Sequence, residues 1–349
     1  MSQTKTGTKG VFGRGSLTTW RYITGLLVLA SLLALVAIVL QPLPGSAATT
    51  DYNVAVTDQS VGGKILVLDP NVPDWNSASA IKWSWAPSAA NGFSNPTPGW
   101  GLPSSVKLRE SCVFGGQWMT VTDSKGFAAI IPYPAANDKK WSINLTATPN
   151  LHEAELLPNG NIAIAASSGG WVRIYTSSQG PSSTVNVQFN LPEAHGLLWD
   201  PQQNVLWALG STLNALTIGG TPAAPTITQK SSVALPTSHG HEMQPVYGDT
   251  DRLWISTGTT VYQYIKSTNT FTTSFTGSAG IGRVGVKSVG DQPSGQVIET
   301  VPDAIKSPPG GCTANNWCTE TVDFFLPDMT RTMTGARFYK ARILNPAYQ

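Results

Sequence analysis

Polar residues recur at a near-constant interval along this chain, and this interval limits the folds that it can adopt. Arg109, His152, His195 and His241 are separated by 43, 43 and 46 residues, and Lys287 follows after another 46. A period in the forties is typical of a β-propeller, in which similar blades surround a central channel. If each of these residues opens the innermost strand of a blade, their side chains form a ring at one end of that channel.

Between these ring positions the sequence repeats a plan of four strands. Apolar hairpins such as 162–166 with 171–175, and 205–209 with 213–217, are joined by short polar turns. A more polar fourth strand follows each hairpin, and these are predicted at 80–85, 140–145, 184–191, 226–235 and 270–275. Four antiparallel strands per unit is the plan of a propeller blade.

Counting these units predicts an all-β fold, a six-bladed β-propeller formed by residues 49–349. The first unit lacks an inner strand, and the C-terminal stretch 336–344 is expected to supply it, since an unclosed ring leaves strand edges exposed. Lys340 or Arg342 then completes the polar ring. Seven blades are the weaker alternative, because no segment is left to build a seventh.

Two irregular stretches interrupt the repeat. Residues 302–317 form an insertion in the sixth unit, and residues 87–103 form a long loop that leads into the second inner strand. Long loops in compact domains often carry function. We expect Phe93 and Trp100 of this loop to overhang the channel mouth.

The N-terminus predicts export. Residues 1–48 contain four basic and no acidic residues, an apolar run at 23–40, and the small residues Ser46 and Ala48 near its end. A cleaved signal peptide is favoured, and an uncleaved membrane anchor is the alternative. In both cases the propeller lies outside the membrane, so it is predicted to be secreted or anchored.

Charge argues against a nucleic-acid partner. The chain has 22 basic and 20 acidic residues, so removal of the four basic residues in 1–48 changes the formal charge from +2 to −2. A nucleic-acid-binding surface is usually strongly basic. We expect a monomer whose partners are a polysaccharide or a small polar ligand, with membrane contact only through an uncleaved N-terminal segment.

The three cysteines fit an oxidising compartment. Cys312 and Cys318 lie close together in the insertion and are expected to form a disulfide. Cys112 is left over and follows a strand-like run, so we expect a buried free thiol.

The predicted mouth of the channel is the candidate functional site. It gathers Arg109, Glu110, His152, Glu153, His195, His239, His241, Glu242, Lys287 and either Lys340 or Arg342. Adjacent strand residues point to opposite sides, so only one residue of each His-Glu pair can face the channel directly. The histidines are the preferred choice, and Glu153 and Glu242 are expected between blades, where they can orient a neighbour or a ligand.

A divalent metal, Mn, Zn or Ca, is one interpretation of this ring. Imidazoles suit first-row divalent ions, and the candidate ligands are His152, His195, His239 and His241. In His239-Gly-His241 two imidazoles would lie on the same side of an extended segment. In this element, and in the blade positions of His152 and His195, the chain resembles oligogalacturonate-lyase-type propellers, and that resemblance implies a metal at the channel mouth.

A metal-free site for an acidic ligand is the second interpretation. Arg109, Lys287 and either Lys340 or Arg342 would hold the carboxylates or sulfates of a uronic acid, while Trp100 stacks on the sugar. In a lyase reaction a neutral histidine, His152 or His195, would remove a proton next to the carboxylate, and Arg109 would stabilise the enediolate.

Two further interpretations involve no reaction. The polar ring could simply fill a wet channel, because repeated blades descend from one ancestral unit and keep its residues. Alternatively, the propeller could be a non-catalytic platform for protein interactions, which requires an exposed apolar patch.

The chain as a whole resembles an uncharacterised family of exported six-bladed propellers found in actinobacteria and fungi. The His-Glu blade starts and the C-terminal stretch Phe338-Tyr-Lys-Ala-Arg342 carry this resemblance over residues 50–345. It implies the fold and no activity. The sequence therefore predicts a propeller that binds a carbohydrate or other polar ligand at its mouth, with a metal-assisted polysaccharide lyase or hydrolase as the enzymatic alternative.

Overall fold

A computed structural model of the protein describes residues 50–348 apart from Ala136 and Ala314, together with Gly7 and Gly10. Except for these two glycines, the predicted export segment 1–48 lies outside the described residues. No helix in the described part of the chain is long and apolar enough to cross a membrane.

Twenty-four strands in this described part form six four-stranded antiparallel sheets, which are the blades. The first three blades contain β1 (Val54–Asp58), β2 (Lys64–Leu68) and β3 (Ile81–Trp85); β4 (Pro103–Glu110), β5 (Gln117–Asp123), β6 (Phe127–Tyr133) and β7 (Trp141–Asn144); and β8 (Leu151–Leu156), β9 (Ile162–Ala166), β10 (Trp171–Tyr175) and β11 (Asn186–Asn190).

Blades four to six continue the same order. They contain β12 (Gly196–Asp200), β13 (Val205–Leu209), β14 (Thr212–Thr221) and β15 (Ala224–Ala234); β16 (Glu242–Val246), β17 (Asp249–Ser256), β18 (Val261–Ile265) and β19 (Thr270–Thr272); and β20 (Ser288–Asp291), β21 (Val297–Thr300), β22 (Thr321–Phe325) and β23 (Met329–Thr332). The last strand is β24 (Phe338–Ile343).

The C-terminal strand closes the ring. The first sheet has the order β24-β1-β2-β3, with Val54 paired to Ile343 and Ala55 to Arg342. β24 is thus the innermost strand of the first blade, which removes the edge that β1 would otherwise expose. Both the six-bladed fold and the expected closure are confirmed.

Helical structure is confined to connections. The described helices are one short α-helix, Ser278–Ile281, and four 3₁₀ turns, Ala78–Ala80, Ala89–Asn91, Ser177–Gln179 and Asp303–Ile305. The repeat of β-branched and aromatic residues with Gly and Asn turns leaves little sequence that favours helix.

Apolar side chains fill the spaces between neighbouring blades, and six buried clusters occupy the six junctions. Tryptophans contribute to several of them, including the fully buried Trp75 and Trp141. Burial of such large rings stabilises the ring of blades by roughly 25 cal/mol per Å² of apolar surface. The centre is different, because its innermost strands carry charged and polar residues.

The insertion in the sixth blade contains a disulfide between Cys312 and Cys318, whose Cα atoms are 6.0 Å apart. The third cysteine differs from expectation. Cys112 is exposed and free, because it follows the end of β4 in a surface turn rather than lying within the strand.

Candidate functional site

Three of the ring residues occupy equivalent places in blades four to six. The backbone N–H of His195, His241 and Lys287 donates to the last residue of the neighbouring strand, Leu209, Ser256 and Thr300 respectively, at 2.8–2.9 Å. Each residue directly precedes its inner strand. The repeat therefore does place these side chains at one end of the channel.

In blades two and three, a bulge in the inner strand marks the residue that is equivalent to His195, His241 and Lys287. The pairing of β8 with β9 skips His152, so that Glu153 pairs with Ala165. The pairing of β4 with β5 skips Ser104 in the same way. A bulge adds one residue and re-aims its side chain. Ser104, and not Arg109, is thus the counterpart of His152 in the second blade.

The expected place of Arg109 on the histidine ring is wrong. Arg109 is the penultimate residue of β4, whereas Ser104 near the start of that strand contacts the carbonyl of Leu151. Five residues of extended strand separate the two positions by about 17 Å. Arg109 therefore lies toward the opposite end of the channel.

The three histidines form a contiguous arc at the mouth. The ring centroids of His152 and His195 are 4.1 Å apart, and those of His195 and His241 are 5.0 Å apart. Lys287 extends the arc, with its Nζ 3.1 Å from His241 Nε2. At the other end the hydroxyl of Tyr339, from the closing strand β24, lies 3.1 Å from His152 Nδ1. We call these five residues the mouth cluster.

Hydrogen-bond partners assign the tautomers of two of these imidazoles. The Tyr339 hydroxyl and His152 Nδ1 share a hydrogen bond in which either group can donate, so it leaves the tautomer of His152 open. His195 Nδ1 donates to the carbonyl of Glu193 at 2.8 Å, so its Nε2 keeps a lone pair. Lys287 donates to His241 Nε2, so His241 carries its proton on Nδ1, and this buried nitrogen has no partner among the described residues.

All three imidazoles are held neutral. Burial, followed by the repulsion that a second positive charge would meet from protonated His195 and from Lys340, keeps the pKa of His152 well below its usual value. Burial and nearby lysines lower the pKa of His195 to about 4, and burial and Lys287 lower that of His241 to about 2.

The pKa of Lys287 is lowered as well. Burial, with the charge of Lys340 second, lowers the pKa of the Lys287 amine to about 8. Burial first, and neighbouring positive charge second, therefore disfavour protonation of these three histidines and of Lys287.

A buried ion network lies directly beneath the mouth. Glu153 forms ion pairs with Lys107, Lys340 and Arg342, with Lys107 Nζ at 2.7 Å and Lys340 Nζ at 3.1 Å. Glu242 pairs with Lys340 at 3.0 Å and with Arg342 at 2.7 Å. The side chains of Glu153, Glu242 and Lys340 are fully buried, so they cannot contact a ligand at the mouth without rearrangement.

The two glutamates respond differently to this burial. Burial alone would raise the pKa of Glu153, but the charges of Arg342, Lys107 and Lys340 lower it to about 2. For Glu242 burial prevails over the charges of Arg342 and Lys340, and its pKa is raised.

The network continues to the far end of the channel. Glu155 accepts from Lys107 at 3.0 Å and from both Nε and Nη2 of Arg109, at 2.6 and 3.0 Å. The guanidinium of Arg109 lies 5.0 Å from the ring centroid of Tyr348, whose hydroxyl donates to the Leu156 carbonyl. The C-terminal segment thus covers Arg109.

His239 does not join the mouth cluster, although its spacing from His241 suggested that it would. Its backbone has a positive φ of 62° and its side chain is 62% exposed, with Nδ1 3.2 Å from Glu193. The positive φ breaks the extended geometry that would have aligned the two imidazoles. No group of three or more His, Cys, Asp or Glu in the described residues is arranged to hold a metal ion.

The long loop before β4 packs inward instead of overhanging the mouth. Phe93 is buried and Trp100 is half-buried, and both pack against Trp85 and Phe127 in the core between blades one and two. The expected stacking position of Trp100 over the histidines is therefore incorrect.

Sequence reasoning missed Tyr339, Lys107 and Glu155. Tyr339 precedes Lys340 on the closing strand as His152 precedes Glu153, and this equivalence could have identified it. Lys107 and Glu155 lie two residues from Arg109 and Glu153, on the same side of their strands. Every second residue of an inner strand faces the same side, and this alternation could have identified Lys107 and Glu155.

Together these features define a six-bladed propeller with a buried ionic network in its channel and a partly exposed cluster of neutral histidines at one end. Residues 58–346 match a protein-family model described as a family of unknown function, DUF6528. The chain belongs to this uncharacterised family. No curated protein matches the chain.

Solved structures similar to this chain include two with distant sequences. One is a protein of unknown function from Bacteroides caccae, with 15% identity, a TM-score of 0.47, and coverage of 72% of this chain and 82% of that one. Another is a catalytically inactive virginiamycin B lyase from Staphylococcus aureus with quinupristin, with 13% identity, a TM-score of 0.45, and coverage of 83% and 86%. Neither similarity supplies a function for this chain.

Proposed function

We propose that the mouth cluster binds a small anionic ligand, such as a carboxylate or an oxyanion of a sugar acid. The observation that carries this proposal is a partly exposed cation, Lys287, that donates to Nε2 of His241. Among the described residues the other nitrogen of that ring, Nδ1–H, has no partner, and because it is buried a ligand reaches it only after the side chains at the mouth shift. A buried donor without a partner costs about 1–3 kcal/mol, and an anionic acceptor would offset the shift by removing that cost.

The charge balance of the channel supports an anion. Below the mouth, the cations Lys107, Arg109, Lys340 and Arg342 face the three carboxylates Glu153, Glu155 and Glu242, an excess of one positive charge before Lys287 is added. This excess also depresses the pKa of the histidines. A bound anion would reverse that effect, so binding should be accompanied by proton uptake.

Direct binding measurements test the proposal. We expect isothermal titration calorimetry of the full chain to detect galacturonate or phosphate, and Lys287→Met to weaken the affinity at least tenfold. Lys82→Met is the matched control, because Lys82 pairs with Asp69 at 3.2 Å on an outer strand and is half-exposed. Absence of binding in the wild type, or equal loss in both variants, would refute the proposal.

Acid–base catalysis at the same mouth is the second candidate. It is favoured by the Tyr339 hydroxyl on His152 and by the lone pair left on His195 Nε2. A neutral imidazole can remove a proton next to a carboxylate, and Lys287 can stabilise the developing charge. Collapse of the enediolate then forms the carbon–carbon double bond and breaks the bond to the β-glycosidic oxygen, which takes a proton from the imidazolium or from water. This would make the protein a metal-free lyase for acidic glycans, which differs from the metal site that the resemblance of its histidine positions to lyase-type propellers implies.

Ultraviolet absorbance of a new carbon–carbon double bond, formed from polygalacturonate, tests this candidate. Loss of that signal in His195→Gln with ligand binding retained supports catalysis. No signal in the wild type leaves binding as the function. The metal-assisted version has weaker support, because His239 is turned away from the other three histidines.

We also propose that the propeller acts outside the cytoplasm, either secreted or anchored by its N-terminal segment. The disulfide between Cys312 and Cys318 supports this location, because disulfides persist mainly in oxidising compartments. Membership of an actinobacterial and fungal branch of the family is part of the same proposal and rests on the sequence resemblance alone.

A further inference from the structure

A second concave site lies on the same end of the propeller as the mouth, between blades one and two. The turn after β1 and the loop before β4 enclose a groove with a volume of about 440 Å³. Six of its lining residues are Gln59, Val61, Trp100, Gly101, Lys125 and Arg337. We call it the Trp100 groove. Its volume lies in the range of roughly 300–1,000 Å³ that is typical of small-molecule sites.

Trp100 forms a rigid wall of this groove. Its Nε1 donates to the carbonyls of Gly62 at 3.0 Å and Gly63 at 3.1 Å. The indole also makes edge contacts with Trp85 and Phe127, with ring centroids 5.3 and 5.5 Å away. The ring is therefore fixed before any ligand arrives, while part of it remains open to the groove. A fixed aromatic face costs little conformational entropy to use in binding.

Two exposed cations share the groove. Lys125 and Arg337 both line it, and among the residues that the structure describes neither side chain has a carboxylate within ion-pair distance. The carboxylates of Asp123 and Asp58 lie nearby but accept from the backbone N–H groups of Lys125 and Arg337. The Lys125 ammonium lies over Gly101, since a Cβ at that glycine would be 2.8 Å from Nζ. An aromatic wall next to two unpaired cations is an arrangement that suits a ring bearing an anionic group.

The larger cleft beside the sixth blade lacks this feature. It has a volume of about 790 Å³, but its cations are already paired. Arg283 contacts Glu299 and Asp323 at 2.7 and 2.8 Å, and Lys306 contacts Asp323 at 3.3 Å. Their charge is thus neutralised within the protein, whereas that of the Trp100 groove is available to a ligand.

We propose that the Trp100 groove binds a sugar unit that carries a carboxylate or a sulfate. The apolar face of the pyranose packs on Trp100, and Lys125 and Arg337 bind the anionic group. This site is separate from the mouth cluster and does not depend on ligand binding there.

Calorimetric titration of the full chain with three probes tests the proposal: trigalacturonate, a sulfated trisaccharide and neutral maltotriose. The wild type should bind one of the charged probes with at least tenfold higher affinity than maltotriose. Which charged probe binds more tightly identifies the anionic group.

Charge-matched variants locate the binding. Lys125→Ala/Arg337→Ala should lower the affinity for the charged probe at least tenfold, while Lys82→Ala/Lys230→Ala, which removes two exposed cations elsewhere, should change it less than threefold. Trp100→Phe, checked for an unchanged melting transition, should weaken the charged and the neutral probe together.

Three results would overturn the proposal. The wild type could bind no saccharide, or both double variants could lose the same affinity for the charged probe. The third result is that Lys287→Met loses as much affinity as Lys125→Ala/Arg337→Ala. The last result would assign the binding to the mouth cluster. Conversely, failure of galacturonate and phosphate to bind at the mouth leaves the trisaccharide result intact, so the two proposals fail separately.

Discussion

The mouth and the interior of the channel are built from adjacent residues of the same strands, yet they differ in access and in charge. In the interior, Glu153, Glu242 and Lys340 are fully buried and bind one another or neighbouring cations. At the mouth, His195, His241 and Lys287 are partly exposed, and none of them has a carboxylate partner among the described residues. Buried charges that are paired within the protein fix a structure, whereas partly exposed groups without an ionic partner are available to a ligand.

This difference separates stability from function along one inner strand. A one-residue step moves from a histidine at the mouth to a glutamate in the interior, as in His152-Glu153 and His241-Glu242. Because the interior carries one excess cation, it also sets the electrostatics of the mouth. The account therefore predicts that substitutions in the interior act on folding first, and substitutions at the mouth act on binding and pH response.

The largest expected effect is that of Glu153→Ala. This change leaves Lys107, Lys340 and Arg342 without their shared carboxylate, and removal of one partner from a buried ionic network costs about 3–5 kcal/mol. His195→Ala at the mouth should cost less than half of that. Urea unfolding of the two variants measures both values, and equal losses would show that the mouth and the interior are not energetically distinct.

An effect of intermediate size is the pH dependence of the free energy of unfolding that His195 at the mouth causes. The folded pKa of His195, about 4, lies below the ordinary value of 6.5, so its contribution to stability is complete above pH 6.5 and is lost as the pH falls toward 4. The free energy of unfolding of the wild type, relative to His195→Asn, should fall by about 1.4 kcal/mol per pH unit in this window.

Urea unfolding at several pH values from 7 to 4 checks this prediction. Carboxyls with raised pKa values, such as Glu299 and Asp123, have the opposite effect, because they stabilise the fold as the pH falls. Both proteins contain these carboxyls, so their contributions cancel when the two free energies of unfolding are subtracted. Parallel stability curves for the wild type and His195→Asn would mean that His195 is not held neutral by the fold.

The smallest expected effect is at the far end of the channel. Tyr348→Phe removes the hydrogen bond to the Leu156 carbonyl while keeping the ring beside Arg109. It should lower the free energy of unfolding by about 1 kcal/mol and leave anion affinity at the mouth unchanged. A clear change in affinity would show that the two ends of the channel are coupled.

Most of the fold could be predicted from the sequence, because its signals are local and repeated. The hairpin pattern gave the blade plan, and the missing inner strand before Val54 identified the stretch 336–344 as the closing strand. The position of Arg109 could not be found by spacing alone. The counterpart of His152 is Ser104, a small residue that the long preceding loop displaces from the regular interval.

The remaining errors have equally specific physical causes. His239 has a left-handed backbone that no alternation pattern indicates, and it takes the side chain to Glu193. Trp100 was expected at the mouth because its loop begins the second blade there, but its hydrogen bonds to Gly62 and Gly63 hold it against the core. The buried network was partly hidden, because adjacent charged residues do not by themselves reveal which ones pair.

Nuclear magnetic resonance of the imidazole nitrogens tests the central claim most directly. Spectra of the full chain between pH 8 and 5, with and without galacturonate or phosphate, report the charge and tautomer of each histidine. The account predicts that His152, His195 and His241 stay neutral throughout without anion, and that at least one of them becomes protonated at higher pH when the anion is present. Titration of all three near pH 6.5, with no response to either anion, would contradict the account.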